Sequence, residues 1–118
     1  MRATRLLPIG ANTFQIHIDA NGGGELYGLV YGRELPEPTP FSGLSGLIVM
    51  LENLMDIGAA DGPEKDVPSN FAPNMELEVL FRQNYSWQGK IRWLELQREA
   101  AFRSVLELII LLKTTFSE

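Results

Sequence analysis

Leu47-Ile48-Val49-Met50-Leu51 and Leu108-Ile109-Ile110-Leu111-Leu112 are two similar apolar runs standing 61 positions apart. Sliding the chain by that offset also lays Gly28 on Gly89, Val30 on Ile91, Glu34 on Glu95, Leu35 on Leu96, Phe41 on Phe102 and Leu44 on Val105. Upstream, Phe14, Ile16 and Ile18 fall on Met75, Leu77 and Val79. The matches recur at every second residue in strand-like parts and almost continuously in helix-like parts, which is the spacing structure needs. Two similar ββα units arising from composition alone would give the same pattern, and both readings predict one architecture.

That architecture is an α+β fold: a duplicated ββα-ββα with a four-stranded antiparallel sheet and two helices packed on one face. The repeats span about 13–56 and 74–117, joined by a Pro/Gly/acidic connector over 57–73, and the whole of 1–118 reads as a single domain.

In the first unit, Phe14-Gln15-Ile16-His17-Ile18-Asp19 alternates as a half-buried strand, Asn21-Gly22-Gly23-Gly24 turns, and Leu26 to Leu35 returns. The prolines at 36, 38 and 40 stop the second strand, since proline cannot donate to a ladder. Thr39-Pro40 reads as an N-cap and first helical position for a helix from about Phe41 to Met55. Gly43 and Gly46 weaken its first turns by roughly 1 kcal/mol each relative to alanine, which suggests close packing against backbone there.

In the second unit, Met75 to Arg82 alternates, Gln83 to Ser86 turns, Trp87 to Leu96 returns and a helix runs from about Phe102 to Phe116. Ser104 and Glu107 have capping-box spacing, so the regular helix begins near Ser104. This helix is apolar nearly all round, so one stripe faces the sheet and the rest needs another partner.

The expected inward set is Phe14, Ile16, Ile18, Val30, Leu77, Val79, Phe81, Ile91 and Trp93. The opposite face then shows Gln15, His17, Asp19, Tyr27, Leu29, Tyr31, Glu76, Glu78, Leu80, Arg82, Lys90 and Arg92.

Composition narrows the function classes. The chain has no cysteine, which excludes disulfides, thiolate zinc sites and thiol catalysis. No apolar run is long enough to span a bilayer, and the short stretch before Pro8 does not make a signal peptide, so a cytoplasmic location is expected. The net charge of −5 is uneven: residues 1–73 hold four bases against nine acids, and residues 74–118 hold six of each. A bulk polyanion is a poor match for the first half, because such affinity comes from neutralised phosphates.

Catalytic patterns are scarce. His17 is the only histidine, and with Asp19 or Glu78 it offers a weak acid–base pair; a solvated strand histidine is the simpler reading. Glu76 and Glu78 share a strand face and could bind a hard cation, but ordinary polar alternation explains them. Asn21 to Gly24 could cradle an anion, but no helix follows the turn. No metalloprotease, nucleophile-elbow, P-loop or EF-hand pattern is present. No cofactor or metal is expected, and the chain reads as a non-enzyme.

The second hairpin, Arg82-Gln83-Asn84-Tyr85-Ser86-Trp87-Gln88-Gly89-Lys90, holds more than a turn requires. Aromatic and amide groups interleaved with bases suit a peptide or single-stranded nucleic acid; the bland alternative is that Trp87 folds over the sheet end. Phe81 to Gly89, Trp93-Leu94-Glu95 and Phe102 to Leu108 together resemble the ending of a group of short uncharacterised proteins from anaerobic gut bacteria (Firmicutes). The resemblance covers about the last third of the chain and implies no activity or catalytic residue.

The expectation is therefore a small bacterial adaptor or regulatory module, self-associating as a homodimer and binding an unidentified protein. Leu106 and Ile110, or the Tyr27-Leu29-Tyr31 stripe, would serve self-association. Arg82, Asn84, Tyr85, Trp87 and Gln88 would contact the partner. The alternative is a binder of single-stranded nucleic acid or a nucleotide through 82–92, with Arg82, Lys90 and Arg92 on phosphates.

Overall fold

Alternating apolar and polar residues make Asn12–Ala20 the first strand, β1, with Phe14, Ile16 and Ile18 buried on one face. In the structure, a computed structural model that describes residues 12–20, 25–32, 35–57, 67–83 and 86–116, β1 is followed by β2 (Leu26–Gly32) and β3 (Thr39–Ser42). Helix α1 (Gly43–Ile57) comes next, then β4 (Met75–Gln83), β5 (Ser86–Trp93), β6 (Arg98–Phe102) and α2 (Val105–Phe116).

The strands form one six-stranded antiparallel sheet in the order β3-β2-β1-β4-β5-β6. This overturns the four-stranded ββα-ββα arrangement. Each half contributes three strands and a helix, and β3 and β6 are the strands left out. Thr39 and Pro40 belong to β3, paired with Val30 and Leu29, and do not cap a helix. Proline is tolerated there because β3 is an edge strand. Residues 98–102 form a further strand on β5, so Phe102, expected at the start of the second helix, ends β6 instead.

The two halves meet at the β1–β4 seam. Gln15 lies opposite Glu76, and the flanking pairs Phe14–Leu77 and Ile16–Met75 mirror each other about that point. The other registers keep the same relation: Gly28 pairs with Phe41 as Gly89 pairs with Phe102. Where regular β4 pairing ends, Asn74 continues it. Its backbone N–H donates to Ile16 O (3.0 Å), its Oδ1 accepts from Ile18 N (3.0 Å) and its Nδ2 donates to Ile18 O (2.9 Å).

Both helices contribute to a single core on one sheet face. Leu47, Leu51, Leu54 and Met55 from α1 and Leu108 and Leu112 from α2 join Phe14, Ile16, Val30, Leu77 and Ile91. Gly43 opens α1 with φ 78°, a left-handed turn that lets the chain leave β3. Among the described residues nothing comes within 4 Å of a Cβ placed at Gly46, so the expected packing against backbone is not found there. At α2, Ser104 Oγ accepts from Glu107 N–H (3.1 Å) and Glu107 Oε1 accepts from Arg103 N–H (2.7 Å). This capping arrangement sets the helix start at Val105.

Strand phase slips once. A bulge between Val79 and Phe81 leaves Phe81 opposite Gln88 and Arg82 opposite Trp87. The alternation that would have turned Arg82 outward is thereby broken. Instead Arg82 pairs with Asp56 at the end of α1 (2.6 Å).

Gly28 and Gly89 occupy matching places in which a Cβ would collide with the backbone carbonyls of His17 and Glu78. Backbone must move to admit a side chain, so Gly28→Ala or Gly89→Ala is expected to cost more than about 2 kcal/mol. Urea unfolding of each variant checks this; a loss within error of zero would show that the strands yield freely.

Candidate interaction surfaces

The sheet face away from the helices is built by the polar positions of the alternating strands. One row crosses four strands. Gln15 Nε2 donates to Glu76 Oε2 (2.8 Å), Arg92 lies 3.2 Å from Glu76 Oε1, and Arg92 Nε lies 3.9 Å from Glu99. In the neighbouring row Glu78, buried, stands between Thr13 and Lys90.

The end of the connector covers part of this face. Phe71 is buried with its ring centroid 6.3 Å from that of Tyr31, and Phe71 N–H donates to Pro68 O (3.1 Å). Within residues 67–74 Phe71 thus anchors the end of the connector on the sheet. The expected Tyr27-Leu29-Tyr31 patch is reduced: Tyr31 is buried, Leu29 is half-buried and Tyr27 remains 45% exposed.

His17 is held from two sides. Its Nε2 lies 3.0 Å from Asp19 Oδ2 and its Nδ1 lies 3.0 Å from the Ala72 carbonyl. Glu78 is not its neighbour, because Glu78 pairs with Thr13, four residues back along β1. Glu76 is occupied by Gln15 and Arg92. Among the described residues no group of three His, Asp or Glu side chains could hold a metal ion. Asn21 to Gly24 lie outside the described residues, as do Asn84 and Tyr85.

The remaining members of the predicted partner-binding set are dispersed. Trp87 is 1% exposed and belongs to the core, so its ring is closed to a ligand. Arg82 is turned to the helix side and paired with Asp56, while Gln88 is exposed on the opposite sheet face. Lys90 and Arg92 share that opposite face, so the three bases of the nucleic-acid alternative do not form one patch.

The helix layer is different. Leu106 and Ile110 are 66% and 52% exposed, and on α1 Val49 is 56% exposed. With 100° per residue, Leu106 and Ile110 project directly away from the sheet-facing Leu108 and Leu112. Val49 escaped the sequence reading, although its position off the Leu47-Leu51-Leu54 stripe was a usable signal. No described helix is long and apolar enough to cross a membrane. Compared with family models, curated proteins and solved structures, the chain matches none of them.

Burial divides the second hairpin into structural and surface positions. Trp87→Ala is expected to cost about 3–5 kcal/mol, and Gln88→Ala to stay within about 0.5 kcal/mol of wild type. Chemical denaturation of both variants tests the division; equal, small losses would return Trp87 to the surface.

Proposed function

We propose that this chain is a non-catalytic interaction module that self-associates through its helix layer and presents the opposite sheet face to another protein. The observation that carries the reading is the pair Leu106 and Ile110, one turn apart on α2 and facing away from the core. Exposed apolar side chains that recur on one helix face mark a contact surface. Tyr27, Leu29, Lys90 and Arg92 offer mixed apolar and basic contacts on the other face. The non-catalytic part is supported by Glu78 lying away from His17, opposite Thr13, and by His17 Nδ1 being taken up by the Ala72 carbonyl, which leaves Asp19 as the one expected acid–base partner beside His17.

Light scattering on the eluting protein is the test. Wild type is expected at about twice the 13.2 kDa chain mass and the Leu106→Glu/Ile110→Glu variant at the chain mass with an unchanged circular dichroism spectrum. A wild-type monomer at high concentration would remove self-association from the reading.

A further inference from the structure

We infer that His17 is a proton-operated latch: as imidazolium it fastens the end of the connector, at Ala72, to the open face of the sheet, and as neutral imidazole it holds that end less tightly. The inference is independent of the self-association proposed above and concerns the opposite face of the molecule.

The ground is what the two ring nitrogens face. Nδ1 lies 3.0 Å from the Ala72 carbonyl oxygen and Nε2 lies 3.0 Å from Asp19 Oδ2. A carbonyl and an ionised carboxylate only accept hydrogen bonds, so both contacts need an N–H. Neutral imidazole has one N–H and one lone pair. Either neutral tautomer therefore turns a nitrogen lone pair toward an oxygen lone pair at hydrogen-bond distance. Imidazolium donates to both oxygens at once, and the Asp19 carboxylate matches its charge.

The other groups around the ring do not take over this role. Leu29 stands directly opposite on β2, with Tyr27 and Tyr31 at the diagonal positions. From β4, Glu76 lies opposite Gln15 and is held by Gln15 and Arg92. The Asn74 side chain is spent on the backbone of Ile18. Asp19 is thus the charged side chain that meets the ring among the described residues.

The contact matters because of where Ala72 sits. Just after it, Asn74 ties the chain to β1, and just before it, Phe71 lies buried against the Tyr31 ring. Among the described residues, the bond from Ala72 to His17 is the one polar contact between 67–73 and the strands. Histidine changes charge between about pH 5 and 8. The latch is therefore closed at the acid end of that range and weakens as pH rises through it. Opening it loosens Phe71 and uncovers Tyr31, which enlarges the Tyr27-Leu29-Tyr31 patch on the face offered to a partner.

Amide hydrogen exchange followed by NMR, with rates corrected for the intrinsic effect of pH, tests the latch at Phe71, whose N–H donates to Pro68 O (3.1 Å). Between about pH 5.5 and about pH 8, wild-type protection is expected to fall about three- to tenfold, the effect of one ordinary hydrogen bond. In His17→Gln the profile is expected to be flat. Asp19→Asn is the sharper variant. An asparagine amide can donate to the Nε2 lone pair while Nδ1–H still reaches Ala72, so the neutral ring satisfies both contacts. Protection in that variant is expected to stay at the closed level across the range. A pH-independent wild type, a His17→Gln profile that falls like the wild type's, or an Asp19→Asn profile that falls as steeply would each overturn the latch. Unchanged amide positions across β4 and β5 establish that each variant is folded.

Discussion

The antiparallel pairing of β1 with β4 is the constraint on which the rest of the structure depends. It joins strands from the two halves of the chain, so without it each half is a three-stranded sheet with a single helix. Small sheets of that kind are poorly stable alone, because too little apolar surface leaves water. The pairing brings Phe14 beside Leu77 and Ile16 beside Met75, which makes one core beneath both helices. Asn74 carries the seam past the last regular pair by using its side-chain amide as a substitute for backbone. It also accepts from Leu94 N–H through its own carbonyl (3.1 Å), tying the seam to the end of β5.

Much of the sheet was legible because alternation reports burial directly. Phe14, Ile16, Ile18, Val30, Leu77, Val79, Ile91 and Trp93 turn to the helix side as their spacing requires. The edge strands were not legible. β3 is four residues with a proline, a pattern shared with helix starts. β6 reads Arg98-Glu99-Ala100-Ala101-Phe102, whose residues favour helices in isolation. In both cases pairing with an existing strand outweighs local preference, and that information resides in the neighbour. The bulge after Val79 was hidden for the same reason, and with it the position of Arg82.

The second hairpin shows how a sequence surplus can be structural. Trp87 stood out because a turn does not need tryptophan. The sheet end does: Trp87 is buried on the helix side of β5 as a member of the core, where a large ring fills the interior. In the first half the offset-related position is Leu26, also buried. The role is therefore a corner filler in both halves, larger in one, and its chemistry as an aromatic is secondary.

Sheet edges are the usual route by which such proteins associate, and here both are defended. β3 carries Pro40, which lacks the N–H a new strand would use. β6 carries exposed Arg98 and Glu99, charges that an incoming apolar strand would have to bury. The two edges reach the same end by different means. The helix layer has no equivalent defence at Leu106 and Ile110, and α1 has no charge on its outer face before Glu52. A surface that resists strand addition at both ends yet leaves large apolar side chains on its helices is what the proposed helix-on-helix self-association rests on. Such contact can close after two copies, whereas edge-to-edge pairing of a sheet with two open ends can continue without limit.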